Sequence, residues 1–223
     1  MRLALTAAAL ALLDESQNLA TVTTRTVSAR AGLSASAFFR YHATRADLVE
    51  FMAHVVDDQL GTVMSAAAAM TEDPYQRLRA VTVAHIRYAL DHPARYGLLT
   101  GSHSPGRTPH CDRGLVSARR SYTCLVEAVG SCLRSGVLDQ SSDVDTESLA
   151  LLARVYGAIT VVLRQQEPRG EAAVEWCSFI ALSWIGALAG PSADSPCRDE
   201  GFGQRGTLSS NDRCQPDARP SLR

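Results

Sequence analysis

The chain has no lysine. All 22 basic residues are arginine, and 23 acidic residues bring the net charge to −1. A near-neutral chain has no polybasic grip, so binding to a polyanion would have to come from a local surface. The all-arginine composition is what a GC-rich genome produces and points to no mechanism. Catalytic signatures are also missing: there is no glycine-rich phosphate loop, no nucleophile elbow and no HExxH. The six cysteines, at 111, 124, 132, 177, 197 and 214, contain no CxxC pair, and reduced thiols are expected of a cytoplasmic chain. His103, His110, Cys111 and Asp112 are donor types a metal would accept, but they lie in or beside a Pro/Gly-rich loop without zinc-ligand spacing. The apolar run from Trp176 to Gly190 covers 15 residues, too few to cross a membrane. No internal repeat is apparent. The expectation is a protein that is not an enzyme, with no cofactor, metal or membrane partner.

What is present is a core-forming helical pattern. A length of 223 residues suits one or two domains, and 46% hydrophobic content is ample for a core. The segment from Thr23 to Leu48 is the most informative. Val27 and Ala31 recur four residues apart, Gly32 supplies a tight turn, and Leu33, Ala37 and Tyr41 recur at helical spacing beyond it. Ser34 is placed to cap a second helix and Thr44 a third. Ser34, Ser36 and Arg40 stay outside the shared core, as do Arg25 and Arg30. In a helix-turn-helix, the start of the second helix meets base edges and the groups around it hold phosphates. The charge agrees locally: from Ser16 through Ala46 there are four arginines and no acid, while Asp14, Glu15, Asp47 and Glu50 flank the window.

On these residues the chain resembles the TetR family of bacterial transcriptional regulators, from Arg2 to about Leu60. Leu3 to Leu13 resembles the first helix, Val22 to Arg25 the lead-in to the second, Gly32-Leu33-Ser34 the turn, Phe38 to His42 the recognition helix, and Thr44 to Leu48 the start of a long connecting helix. The resemblance implies a DNA-contacting set of Thr23, Thr24, Arg25, Ser34, Ala35, Ser36, Phe39, Arg40, Tyr41, Thr44 and Arg45. Three positions depart from the pattern. Phe39 stands where the family commonly has a phosphate-touching Tyr, His42 where it has an aromatic core residue, and Arg45 where it has Lys. Arg for Lys preserves a phosphate contact in kind; Phe39 has no hydroxyl, although Tyr41 carries one nearby. The family usually has a short basic arm before the first helix, which leaves open a native start upstream of Met1.

An alternative for the N-terminus is a secretory signal peptide, with Arg2 ahead of an apolar run and the cysteines then paired. The run ends in Asp14 to Asn18 without a small-x-small cleavage site, and its apolar residues Leu3, Ala7, Leu10 and Ala11 fit one helical face.

The remainder reads as helix. The spacing predicts a connecting helix from Thr44 to about Ala69, a helix from Asp73-Pro74 to before Pro93, and a short one to about Leu99. Others are predicted from Asp112 to Ser135, from Ser142 or Asp143 to about Gln166, and from Gly170 or Glu171 to Gly190. Tyr88 to Tyr96 resembles a motif of the C-terminal domain in a large TetR subgroup, and Val155-Tyr156-Gly157 falls where that subgroup often has Trp-His-Gly. The expected architecture is all-α, with a three-helix DNA-binding domain (1–48), a helical effector-binding and dimerisation domain (49–190) and a disordered tail (191–223). Candidate effector contacts are His85, Tyr88, Tyr96, Tyr122, Cys124 and Tyr156. Leu152, Tyr156, Ile159 and Leu163 line one late helix, and Trp176, Phe179, Ile180 and Trp184 crowd the next on most of its surface. Such a helix needs partners on two sides, which suits an isologous homodimer interface. The function expected is a ligand-responsive regulator, a repressor that binds double-stranded DNA as a dimer and is released by a small hydrophobic or amphipathic effector. The alternative is a ligand-binding or scaffolding dimer without DNA binding.

Overall fold

The computed structural model describes residues 1–101, 119–165, 170–183 and 185, and among these there is no strand. The elements are α1 (Arg2–Ser16), a 3-10 turn (Leu19–Thr21), α2 (Thr24–Arg30), α3 (Ala35–Phe38), α4 (Arg45–Ala68), α5 (Pro74–Asp91), α6 (Pro93–Thr100), α7 (Arg120–Arg134), α8 (Val144–Arg164) and α9 (Glu171–Leu182). Met1–Gly190 form one compact unit.

Capping explains most helix starts. Ser34, Thr44, Asp73 and Asp143 each accept a backbone N–H three residues on, from Ala37, Asp47, Gln76 and Thr146. Thr23 and Thr26 form a reciprocal capping box at α2. Gly32 at φ +66° and Gly101 at φ +70° supply the left-handed backbone that closes α2 and α6.

Three expectations change. On α1, burial falls on Leu5, Thr6, Ala9, Leu10 and Leu13, while Leu3 is 67% exposed and Ala7 points outward. A run of Ala and Leu is apolar at nearly every position, so its periodicity leaves the inward face undetermined. The recognition helix is a single turn, Ala35–Phe38, and the chain then tightens, with Arg40 N–H donating to Ala37 O and Tyr41 N–H to Phe38 O. The helix expected from Asp112 begins at Arg120 where it is described; 112–118 lie outside the described residues.

The N-terminal helical head and the larger bundle share α4. Leu48, Met52, Val56, Leu60 and Met64 run down its buried side, so one rod joins both cores. α4 packs on α5 and α7, and α5 on α7 and α9. Close approach of α7 requires Gly61: a Cβ there would stand 2.7 Å from Arg120 Cγ. Asp57, buried on α4, accepts the Arg120 backbone N–H at 2.8 Å and the Ser121 hydroxyl. It thereby caps α7, whose own N-cap residue Arg119 makes no side-chain cap. α8 is long and apolar enough to cross a membrane by length and composition. Its buried side Leu151, Leu152, Val155, Ile159 and Val162 belongs to the bundle core.

Candidate functional site

The head presents an exposed face built on a small fixed core. Phe38 and Val27 are fully buried beside Leu48, and His42 is buried with its ring between Phe38 and Phe51. Burial holds the His42 imidazole below its usual range, and its Nδ1 stands 3.5 Å from Asp47 Oδ2. Phe38 is the anchor of this core, while Phe39, which the resemblance places in the DNA-contacting set, is exposed.

Ser34, Ala35, Ser36, Phe39 and Arg40 are all exposed on α3 and the residues after it, next to Thr24 and Arg25 at the start of α2. The four arginines of the acid-free window are not equivalent. Arg30 pairs with Glu15. Arg45 donates from Nε to Val22 O and from Nη2 to Leu19 O, both at 2.6 Å, which ties α4 to the 3-10 turn. Arg25 and Arg40 have no carboxylate partner among the described residues, and since Arg45 has committed Nε and Nη2 to backbone carbonyls, the guanidinium groups of this face that stay free to donate are those of Arg25 and Arg40. Tyr41 packs against the core, half-exposed.

In the bundle, three of the six candidate effector residues meet. His85 Nε2 and the Tyr96 hydroxyl share a 3.0 Å hydrogen bond, and the rings of His85, Tyr96 and Tyr156 stand edge to face with centroids 5.6, 6.0 and 5.8 Å apart. Burial pushes the His85 imidazole down to about 4, so it is neutral near pH 7, and burial, with Tyr156 nearby, raises the Tyr96 phenol well above 10. Arg119 flanks the cluster, close enough to Tyr156 to oppose the upward push of burial, and donates to Leu99 O at 3.0 Å.

The other candidates lie elsewhere or contribute differently. Tyr88 donates to Gln59 Oε1 at 3.1 Å, an oxygen that also accepts from Arg95 Nη1. Arg95 in turn grips both oxygens of Asp14 at the end of α1, with Nε–Oδ1 at 2.9 Å. Cys124 touches the Ser65 hydroxyl at 3.1 Å on α4, and Tyr122 is buried on the same helix as Cys124. Consecutive residues of α6 thus face two ways: Tyr96 into the aromatic cluster, Arg95 onto α1.

Of the candidate interface residues, Leu152 and Ile159 are buried in the protomer's own core, and Tyr156 and Leu163 are half-buried. Trp176, Phe179 and Ile180 are 43%, 69% and 38% exposed, while Val174, Cys177, Ser178 and Ala181 bury the opposite side of α9. Trp184, the loop donors from His103 to Asp112 and the tail from Pro191 lie outside the described residues. Cys124, Cys132 and Cys177 are free thiols, and burial pushes the last two up to about 11, which disfavours the thiolate form.

The described residues thus form a capped helix-turn-helix head, a long shared helix and a helical bundle with a buried polar cluster. Residues 78–176 match the tetracyclin repressor-like C-terminal domain. The fold is shared with solved structures. A protein of unknown function from Rhodococcus sp. RHA1 superposes with a TM-score of 0.68 at 21% identity, over 85% of this chain and 95% of that one. The TetR family regulator PfmR from Thermus thermophilus gives 0.55 at 19% identity, over 84% and 98%. A TetR family regulator from Marinobacter aquaeolei gives 0.59 at 20% identity, over 82% and 93%. No curated protein is similar enough to match. Residues 78–176 are thus similar to the family's C-terminal domain, and the chain has the fold of these TetR family regulators.

Proposed function

We propose that this chain is a sequence-specific DNA-binding regulator that acts as a homodimer in the cytoplasm, represses from a palindromic operator and is released by a small hydrophobic or amphipathic effector. The observation that carries the reading is the exposed α2–α3 face: its start-of-helix residues project outward, the segment from Ser16 through Ala46 holds no acid, and Arg25 and Arg40 have no carboxylate partner among the described residues. Each subunit would place Ser34 to Arg40 in a major groove, with half-site spacing set by the dimer.

The homodimer reading rests on α8 and α9. Val161, Trp176, Phe179 and Ile180 form an exposed apolar strip. Beside them Ala153 and Gly157 are exposed, and a Cβ at Gly157 would meet nothing within 4 Å, which leaves room for close helix approach. The effector reading rests on the His85–Tyr96–Tyr156 cluster, with neutral hydrogen-bonding groups among apolar walls and Arg119 at the edge. A molecule that displaced Tyr96 would move α6. Arg95, the preceding residue, would carry that movement to Asp14 on α1, so the two states would hold the heads at different separations.

The test is binding of purified full-length protein to duplexes from its own upstream region, against scrambled duplex, with salt varied. Two free arginines per subunit give four phosphate contacts per dimer, so the slope of log K against log salt should be about −3.6. Specific binding with a slope of that order supports the reading; no preference over scrambled duplex at low salt overturns it.

A further inference from the structure

The exposed face of α3 is poor in hydrogen-bonding groups. Ser34 Oγ accepts the Ala37 N–H at 3.2 Å and shares a 2.9 Å hydrogen bond with Ser36 Oγ, so one of the two hydroxyl protons is already committed between them. Arg40 is the charged donor. What remains is apolar: the Ala35 methyl and the Phe39 ring, which is 56% exposed while its neighbour Phe38 is fully buried. The two phenyl rings meet edge to face at 5.4 Å and 79°, so the buried ring fixes the direction of the exposed one. An aromatic held outward has no use in a monomeric head surrounded by water. Its neighbours Arg25 and Arg40, with no acid from Ser16 through Ala46, give the surface around it the charge of a DNA-facing one.

In the major groove the one strongly apolar feature of a base pair is the thymine C5-methyl, and alanine and phenylalanine side chains are suited to it. We infer that Phe39, supported by Ala35, is a specificity-determining residue that packs on a thymine methyl in each half-site. Operator choice then draws on methyl contact, while Arg25 and Arg40 hold phosphates. This rests on the DNA-binding reading above.

The experiment takes full-length protein and selects bound sequences from a random duplex pool. Thymines of the selected site are then replaced one at a time by uracil, which pairs identically but lacks the methyl, and dissociation constants are measured for wild type and Phe39→Ala. Burial of one methyl-sized group corresponds to about fourfold in affinity, so changing the contacted thymine should weaken wild type about fourfold in one half-site and about fifteenfold in both. Phe39→Ala should bind the thymine and uracil duplexes within about twofold of each other. Uracil that is neutral at every position, or equally costly to both proteins, overturns the assignment. A pool that yields no enriched duplex overturns the DNA-binding reading instead, and the assignment with it.

Discussion

Replacing Asp57 by Ala should destabilise the chain through a helix start that Asp57 does not belong to. The carboxylate is 5% exposed and accepts the first N–H of α7 and the Ser121 hydroxyl, itself on a residue 8% exposed. Removing an N-cap acceptor costs about 1 kcal/mol, and leaving a buried hydroxyl without its acceptor costs about 1–3 kcal/mol. Asp57→Ala should therefore lose about 3 kcal/mol. For a unit of this size that is a fall in Tm of about 6–12 °C. Asp57→Asn keeps one acceptor oxygen, and its amide can donate to the rotated Ser121 hydroxyl, so it should lose about 1 kcal/mol. The assay is urea unfolding followed by far-UV circular dichroism at one fixed protein concentration, because a dimer's stability depends on concentration. Asp57→Ala within about 0.5 kcal/mol of wild type, the range of an ordinary surface change, would refute the cross-helix cap.

Stability should also fall with acid through His85. Its folded pKa, about 4, lies below the ordinary 6.5, so between these values the unfolded chain binds the extra proton. The contribution is complete above pH 6.5 and lost as pH falls toward 4, worth roughly 3 kcal/mol; His85→Gln should flatten that slope in unfolding measured across pH 4–7, leaving the smaller, same-signed part from His42. Arg95→Met removes the grip on Asp14 while keeping the length of the side chain. Folding and dimerisation should persist with a loss of about 1 kcal/mol, but effector-induced release of DNA should weaken at least fivefold in a competition assay; unchanged release would remove the α1–α6 link from the mechanism. Phe179→Glu places a charge on the 69% exposed position of α9. It should convert dimer to folded monomer in sedimentation at micromolar concentration, and an unaltered dimer would put the interface elsewhere.

Much of the fold was legible because it is written in local chemistry. Ser34, Thr44, Asp73 and Asp143 cap helices where spacing put them, since a cap needs only a side-chain oxygen three residues from an N–H. The apolarity of α9 on most of its surface was legible, and in the protomer Val174, Cys177, Ser178 and Ala181 bury one side of it while Trp176, Phe179 and Ile180 stay exposed. The inward face of α1 was not legible, because alanine and leucine alternate without a polar face to set the phase. The division of labour between Phe38 and Phe39 was legible only through the family resemblance, because two adjacent aromatics carry no phase of their own. The candidate effector residues were correctly placed on helices but only partly gathered: His85, Tyr96 and Tyr156 converge, while Tyr88 and Cys124 turn toward α4. Arg45 was read as a phosphate contact by analogy with a lysine, yet its guanidinium spans two backbone carbonyls that lie 23 and 26 residues earlier.

The helices, their caps, the turn at Gly32 and the acid-free window each depend on residues a few positions apart, so they can be read along the chain. Which guanidinium groups stay unpaired, and which groups are joined across helices, depends on packing. Asp57 capping α7, Asp14 held by Arg95, and Glu15 neutralising Arg30 all link residues far apart in the chain. Whether a carboxylate meets a guanidinium or an N–H over such separations follows from how the helices pack, and no periodicity along the chain records it.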